Sequence, residues 1–262
     1  ISASTSGAGK GGNIDISAPE TTLNITGDGQ ISASTSSTSS TGEGGNIQLK
    51  ATDKLNITGD GQISASTSGA GKGGNIDIIA PETRLNITGD GEISASTSST
   101  GQGGNIELKA TETIDITGDG QISVKTTGAG DAGNISIETP SLTTDKIEIT
   151  ASTEAEGKGG AITAKTDTLT LDNNSQLTVK ADSSSSGDAG DINIETGSLT
   201  VENGAQISAQ TKASGEGGNI NISGPEKLNI TGNGQISAST SGAGQGGNIE
   251  LKATETIDIT GD

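Results

Sequence analysis

Apolar and polar residues alternate in short segments along the whole chain. In the first unit these segments include 14–16 and 23–25, followed by 31–33, and they read Ile-x-Ile, Leu-x-Ile and Ile-x-Ala. Alternation with a period of two places the apolar side chains on one face of a β-strand. Similar triplets return in most of the units that follow. The pattern therefore predicts a series of short strands, three in each unit, joined by turns.

The segment Gly-Gly-Asn-Ile, or a close variant of it, marks every unit, and we call its third residue the marker residue. The marker residues are Asn13, Asn46, Asn75, Asn105, Asn134, Ala161, Asp191, Asn219 and Asn248, at spacings of 33, 29, 30, 29, 27, 30, 28 and 29 residues. A period of this length is typical of stacked repeat units. We expect residues 1–262 to form a single repeat array and, since the repeat text starts and stops inside a unit, to be an internal fragment of a longer chain.

Prolines and length changes locate the corners of the unit. Each proline lies six residues after a marker residue, at Pro19, Pro81, Pro140 and Pro225. Proline tolerates a corner but interrupts the hydrogen bonding of a central strand. Extra Ser and Thr residues occur at 36–41 and 183–186, as is typical of solvent-facing loops. Both observations favour one unit per coil of a solenoid.

The architecture that satisfies this pattern is an all-β, right-handed parallel β-helix, a β-solenoid of about nine coils of 27–33 residues with three short strands per coil. Every strand then pairs with its equivalents in the neighbouring coils, which satisfies the backbone groups. The variable loop length argues against a left-handed hexapeptide helix. The same alternation places Ser66 and its equivalents on the outer face. The predicted inward columns are Ile14, Ile47, Ile76 and Ile106; Leu23, Leu55, Leu85 and Ile114; and Ala3, Ala33, Ala65 and Ala95.

Composition narrows the class of protein. The chain has no Phe, Trp, Tyr, Met, Cys or His, which suits narrow aliphatic columns better than a globular core. The ordered alternation argues against the disorder that a Gly- and Ser-rich acidic composition otherwise suggests. The formal net charge of −19 excludes nucleic acid as a natural partner, because phosphate binding needs a basic surface. No apolar run approaches 18 residues, so we expect no membrane span.

Several segments carry a resemblance to a known family. Residues 217–222 read Gly-Gly-Asn-Ile-Asn-Ile, residues 228–231 read Leu-Asn-Ile-Thr, and residues 235–238 read Gln-Ile-Ser-Ala. Residues 199–207, Leu-Thr-Val-Glu-Asn-Gly-Ala-Gln-Ile, carry the resemblance most clearly. This text resembles filamentous haemagglutinin-like exoproteins of the two-partner secretion type, especially the cyanobacterial kind. The resemblance implies a large secreted adhesin or surface fibre with a β-helical shaft, located outside the cell or at its surface.

The marker asparagines have two interpretations. They could form a polar binding stripe, or a ladder in which side-chain amides hydrogen-bond from coil to coil and the backbone makes left-handed turns. We predict the structural ladder, with weaker spots where Ala161 and Asp191 interrupt it. Its members are Asn13, Asn46, Asn75, Asn105, Asn134, Asn219 and Asn248.

The Gly-Asp-Gly corner supplies weak candidate metal ligands, Asp28, Asp60, Asp90 and Asp119. Stacked about 5 Å apart, these carboxylates would repel one another, and Ca²⁺ would relieve the repulsion. Later units carry Lys146, Asn174, Gly204 and Asn233 at this position, which no metal site requires. We favour a solvated acidic edge without a cofactor, and Ca²⁺ is the alternative.

No arrangement of catalytic acids and bases is evident, because His is absent and Arg84 is the single arginine. We therefore predict a non-catalytic structural shaft of a secreted or cell-surface fibre or adhesin. The shaft would continue covalently in a longer chain or by end-to-end self-association into a filament. The alternative is a surface module that binds carbohydrate, such as surface glycans, or Ca²⁺ on its serine- or aspartate-lined face.

Overall fold

The computed structural model describes residues 1–36, 42–182, 187–212 and 214–261. Within these ranges the chain forms 24 β-strands and no helix. The strands pair in parallel with strands of the neighbouring coils, at three positions around each coil that we call face 1, face 2 and face 3. The fold is therefore the β-solenoid that the sequence predicts.

Face 1 opens each coil directly after the marker residue. Its strands are β1 (Ile14–Ala18), β4 (Ile47–Ala51), β7 (Ile76–Ala80), β10 (Ile106–Ala110), β13 (Ile135–Glu138), the first part of β16 (Ile162–Asp172), the first part of β18 (Ile192–Val201), β20 (Ile220–Ser223) and β23 (Ile249–Lys252). Face 2 contains β2 (Leu23–Thr26), β5 (Lys54–Thr58), β8 (Arg84–Thr88), β11 (Thr113–Thr117), β14 (Ser141–Asp145), the second parts of β16 and β18, β21 (Lys227–Ile230) and β24 (Thr256–Ile259).

Face 3 completes the coil. Its strands are β3 (Gln30–Ser32), β6 (Gln62–Ser64), β9 (Glu92–Ser94), β12 (Gln121–Thr126), β15 (Glu148–Thr153), β17 (Gln176–Ala181), β19 (Gln206–Thr211) and β22 (Gln235–Thr240). Residues 1–5 occupy the same position in the first coil, where Ser2 and Thr5 form parallel bridges to Ser32 and Thr35. Three strands per coil is thus the rule, with two coils in which faces 1 and 2 share one long strand.

Stacked aliphatic side chains fill the narrow interior. Ile47 lies level with Ile14 and Ile76 of the neighbouring coils, and Leu55 lies level with Leu85. All but Ile14 in this group have no exposed surface, and Ile14 is 8% exposed. The inward columns predicted from the alternation are confirmed. Side chains that stack on copies of themselves leave little room for aromatic rings, which accounts for the composition.

The prolines lie where face 1 turns into face 2, as predicted. In the coil of β16, Asp167 occupies this corner, and its backbone N–H donates to the carbonyl oxygen of Pro140 in the coil below at 2.8 Å. Proline has no N–H to make such a bond. The strand can therefore run unbroken through the corner in β16, whereas β13 ends at Glu138 and pairing resumes at Ser141.

The two loop insertions lie between face 3 and face 1. Residues 37–41 and 183–186 are outside the described residues. Of the first insertion the structure describes Ser36, whose side chain is exposed.

A glycine precedes the marker residue in every unit because the coils touch there through their backbones. A methyl group on Gly104 would lie within 3.0 Å of the carbonyl group of Gly74 in the neighbouring coil. Equivalent clashes occur at the members of the column from Gly45 onward, so a side chain there would push two coils apart. At Gly12, in the first coil, an added methyl group would come no closer than 3.2 Å, to Ala3. Its members are Gly12, Gly45, Gly74, Gly104, Gly133, Gly160, Gly190, Gly218 and Gly247.

The first and last coils expose apolar side chains that inner coils bury. Ile1 and Ile259 are 71% and 66% exposed, and Ile249 and Ile257 are also exposed.

Candidate functional site

The marker asparagines connect consecutive coils through their side-chain oxygens. The backbone N–H of Asn46 donates to Oδ1 of Asn13 at 3.0 Å, and that of Asn75 donates to Oδ1 of Asn46 at 2.9 Å. Further donors in the same arrangement are Asn105, Asn134, Ala161, Asn219 and Asn248. Each side-chain carbonyl therefore satisfies a backbone N–H just before the face 1 strand begins.

The marker asparagines do not form left-handed turns, so that part of the prediction is wrong. Within the described ranges the non-glycine residues with positive φ are Lys146, Asn173, Asn174, Asn203 and Asn233. All five lie at the corner between face 2 and face 3. The marker residue leads directly into an extended strand, where a left-handed backbone would turn the chain away from its neighbours.

Ala161 and Asp191 interrupt the asparagine column in different ways. Oδ1 of Asp191 accepts the backbone N–H of Asn219 at 2.8 Å, so a carboxylate replaces the amide there. The backbone N–H of Ala161 donates to Oδ1 of Asn134, but Ala161 has no side-chain oxygen to accept the N–H of Asp191. We call the absent hydrogen bond between Ala161 and Asp191 the missing rung, and a groove of about 340 Å³ lies beside it. The missing rung is the specific defect of the column.

A second column of acceptors runs along face 3 of the first four coils. The backbone N–H of Ser34 donates to Oγ of Ser4 at 3.1 Å, and that of Ser66 donates to Oγ of Ser34 at 3.2 Å. The N–H groups of Ser96 and Lys125 continue the series at 3.1 and 3.0 Å. Ser66 lies on the outer face, as predicted, but it is half-buried and bonded on both sides. Small side chains stacked at the strand spacing shield one another from solvent.

The serine oxygens replace a backbone acceptor that has turned away. In a regular parallel ladder the N–H of Ser66 would reach the carbonyl oxygen of Ala33. That oxygen instead accepts the N–H of Gly45 at 2.6 Å. Regular pairing in β3 and β6 therefore stops after three residues, at Ser32 and Ser64. The serine on face 3 and the glycine before the marker residue are thus required for the same reason, the reorientation of this carbonyl group.

A column of buried threonines fixes the loop that follows face 3. Oγ1 of Thr35 donates to the carbonyl oxygen of Glu43 at 2.6 Å, and Oγ1 of Thr126 donates to that of Asp131 at 2.9 Å. These threonines were not predicted, although they recur four residues after the first apolar residue of face 3. Ala181 stands in this column without a hydroxyl.

The candidate metal ligands Asp28, Asp60, Asp90 and Asp119 lie at the corner between face 2 and face 3, and all four are exposed. Oδ1 of Asp90 accepts the backbone N–H of Asp119 at 3.2 Å. In the part of the chain that the structure describes, no group of three or more Asp and Glu side chains is close enough to hold a metal ion. The role of these aspartates as metal ligands remains a prediction.

The turn at this corner between face 2 and face 3 differs between the early and the later coils. Thr117 pairs with Asp145 and Gln121 with Glu148, so the later coil has one residue fewer here. Lys146, with φ of 61°, therefore lies level with Gly118 and not with Asp119 as the sequence alignment of the units placed it. Three later coils use two consecutive left-handed residues, as type I′ turns require. These pairs are Asn173 and Asn174, Asn203 and Gly204, and Gly232 and Asn233.

A hydroxyl-lined groove of about 350 Å³ runs along face 3 across four coils. Ser68, Ser98 and Thr127 form its outer part, and Lys125 lies at one end. The inner serines already use their oxygens in the serine column. The outer hydroxyls are those that a ligand could reach.

A column of alternating charge on face 1 borders a groove of about 460 Å³ at the corner where face 1 turns into face 2. Lys109, Glu138, Lys165 and Glu195 stand level with one another on consecutive strands. Nζ of Lys109 donates to Glu138 at 2.8 Å, and Nζ of Lys165 is 4.0 Å from Glu195. These residues all lie four positions after a marker residue, so aligning the units would have revealed the column.

Three groups have shifted pKa values. The hydrogen bond to Glu138 raises the pKa of Lys109, and burial raises the pKa of Asp77. Partial burial opposes the ionisation of Asp182, but hydrogen bonds from Lys180 and Lys212 outweigh it and lower the pKa of Asp182. The two Nζ atoms lie 2.7 and 3.3 Å from its carboxylate.

Comparisons of the chain with protein-family models, with curated proteins and with solved structures find no match. The resemblance to haemagglutinin-like exoproteins therefore stays a prediction. Among the described residues no helix is long and apolar enough to cross a membrane.

Proposed function

We propose that the chain is a non-catalytic structural shaft of a secreted or cell-surface fibre or adhesin. The proposal rests on the hydrogen bonds that the polar side chains of the chain make. The marker asparagines, the face 3 serines and the buried threonines all accept or donate backbone hydrogen bonds at the corners of the coils. Side chains that a binding or catalytic surface would present are thus employed in holding one coil on the next.

A shaft must transmit force along its length, and this arrangement suits that role. Pulling along the rod axis loads the backbone ladders and the side-chain bonds of a coil interface together. We expect single molecules stretched between the ends to unfold at high force and coil by coil, since each coil contacts only its neighbours. Unfolding at low force in one step would contradict the shaft role.

The proposed location is tested separately. Immunogold labelling of intact cells that make the protein is expected to place it outside the cell envelope. Label confined to the cytoplasm would overturn the secreted location while leaving the mechanical proposal standing.

The shaft is proposed to continue covalently or by end-to-end stacking of separate chains. The aliphatic columns support either route, because each coil buries its Ile and Leu side chains against equivalent side chains of a neighbouring coil. Light scattering against salt concentration distinguishes the two. Growth of linear particles as salt screens the −19 charge supports stacking, whereas a monomer at every salt concentration leaves covalent continuation.

The second candidate function is carbohydrate binding in the hydroxyl-lined groove of face 3. Its outer hydroxyls support this candidate, and Lys125 closes one end. Calorimetric titration with neutral oligosaccharides would test it, with Ser68→Ala and Ser98→Ala as variants. Saturable heat that both variants reduce supports the site, and no heat contradicts it.

A further inference from the structure

The alternating column on face 1 has a symmetry that a single chain does not use. Read along the rod, its central residues are Lys109, Glu138, Lys165 and Glu195. Read in the opposite direction, the same column runs Glu, Lys, Glu, Lys. A second copy turned by a two-fold axis therefore presents an opposite charge at every level, which is the condition for a self-complementary contact between identical surfaces.

We propose that two copies of this chain associate side by side in antiparallel orientation through face 1. Lys109 of each copy faces the partner copy's Glu195, and Glu138 faces the partner copy's Lys165. The two-fold axis passes between the coils of β13 and β16. The proposal does not rest on the shaft function, because a lateral dimer can form whatever the chain supports.

The charges also exclude most alternative registers. A shift by one coil sets Glu138 against its own copy and Lys109 against Lys165, so like charges meet. A parallel arrangement in register sets each lysine against the same lysine. Like charges across an interface suppress the wrong pairing.

An axis between the coils of β10 and β13 also avoids like charges, because it sets Lys109 opposite the partner copy's Glu138 and Lys50 opposite the partner copy's Glu195. The proposed axis is the one that centres the contact on the uninterrupted run of four alternating charges. The Lys165→Glu variant separates the two registers, since the other axis sets Lys165 opposite the uncharged Ile79.

Exposure and shape leave the column available. The side chains of Lys165 and Glu195 are 62% and 71% exposed, and their own ion pair, at 4.0 Å, is long. The long charged side chains form a ridge, and the adjoining groove is floored by the buried Ala110 and Thr139. In the two-fold arrangement the two charged columns meet each other, and the groove of one copy faces the groove of the other.

Residue pairs in the coils on either side of the charged column determine how far the contact extends. The axis sets Ile79 opposite Ser223 and, on the adjacent outward column, Glu107 opposite Asn193. Neither pair is like-charged. The outermost pair, Lys50 with Lys252, is like-charged, so the contact covers the central six coils, about 25–30 Å. An interface this short is at the weak end for proteins, so we expect a dimer at high micromolar concentration.

Charge reversal provides the test, with sedimentation velocity as the readout. Lys165→Glu sets two pairs of glutamates against each other across the axis and is expected to weaken the dimer roughly tenfold or more. The double variant Glu138→Lys with Lys165→Glu restores opposite charges across the axis but sets like charges side by side within each chain. Recovery of the dimer in the double variant identifies the contact as intermolecular. Failure to recover overturns the proposal.

The matched control is Lys227→Glu on face 2, which changes the net charge by the same two units, from −19 to −21. It is expected to leave the dimer unchanged, and equal weakening by Lys227→Glu and Lys165→Glu contradicts a specific contact. A monomer at all concentrations also contradicts it.

A spin label at Ser136→Cys distinguishes the lateral dimer from end-to-end stacking, and the chain has no other cysteine. The label lies within about one coil spacing of the two-fold axis, so two labels are expected less than about 25 Å apart. Stacked rods would separate them by the length of the rod, roughly 40 Å.

Discussion

The carbonyl oxygen of Ala33 accepts a hydrogen bond from the backbone N–H of Gly45, 2.6 Å away, across the corner where face 3 turns into face 1 of one coil. The bond explains why the next coil must take its acceptor from a side chain. The N–H of Ser66, for which the carbonyl oxygen of Ala33 is not available, donates to Oγ of Ser34. One backbone contact thus sets the residue type at two further positions.

Removing that serine oxygen should leave a half-buried N–H without an acceptor. Ser34→Ala is expected to lower the free energy of unfolding by about 1–2 kcal/mol. The matched control is Ser152→Ala, at the equivalent position of β15, where Lys180 of the next strand continues the regular ladder. Ser152 is itself buried, but its removal leaves the N–H of Lys180 with a backbone acceptor, so the control is expected to cost less than Ser34→Ala. Equal losses in urea denaturation would mean that the serine oxygen is not needed.

A side chain at the glycine column should separate two coils. Gly104→Ala is expected to cost about 3 kcal/mol or more, because its methyl group meets the rigid backbone of Gly74 and not a flexible side chain. At Gly246 the nearest atom to an added methyl group is the carbonyl oxygen of Ala238, at 3.7 Å. Gly246→Ala should therefore change the denaturation midpoint little, and a tolerated Gly104→Ala would contradict the close approach of the coils.

The missing rung of the marker column should be repairable. Ala161→Asn offers a side-chain oxygen to the N–H of Asp191 and is expected to raise the free energy of unfolding by about 0.5–1 kcal/mol. Asn134→Ala removes the existing bond to Ala161, 2.8 Å long, and should lower it by a similar or larger amount. If both variants shift the thermal midpoint in the same direction, the column does not hold the coils as described.

The pair of lysines around Asp182 predicts a pH dependence of stability. Because the pKa of the folded-state carboxyl is lowered from its ordinary 3.8, its ionised form stabilises the fold above that value, and the stabilisation is lost as the pH falls through the folded-state pKa. Asp182→Asn should therefore lower the midpoint at pH 7, and its difference from the unmodified chain should vanish in strong acid. Asp28→Asn, at an exposed corner, removes the same charge and corrects for the net charge. A constant difference across the pH range would exclude the ion pair as its cause.

The periodic part of this fold is readable from the sequence because each position repeats in the same environment. Ile47 could be placed inside and Pro81 at a corner from spacing alone, and the structure agrees. The asparagine column could likewise be located, since every unit repeats its glycine–asparagine text. Alternation and corner chemistry are local properties.

The backbone of face 3 could not be read in this way. Residues 63–71 and 236–244 have the same sequence, yet β6 is a three-residue strand and β22 a six-residue strand. The difference comes from the neighbouring coil. Strand β22 pairs with the regular β19, whereas Ser66 lies above a coil whose Ala33 carbonyl group has turned away. The alternating charges of face 1 were not predicted for a related reason. They complement one another only between residues about 30 positions apart in the sequence.

We expect the stacked coils to make a stiff rod. Spin labels at Gln62→Cys and Gln235→Cys, in one column of face 3 and six coils apart, measure it directly by pulsed electron resonance. Labelled protein is diluted in unlabelled protein so that distances within one chain are read. At about 4.8 Å per coil we expect a narrow distribution near 29 Å. A broad distribution centred well beyond that, toward the roughly 70 Å of a flexible chain of this length, would contradict it.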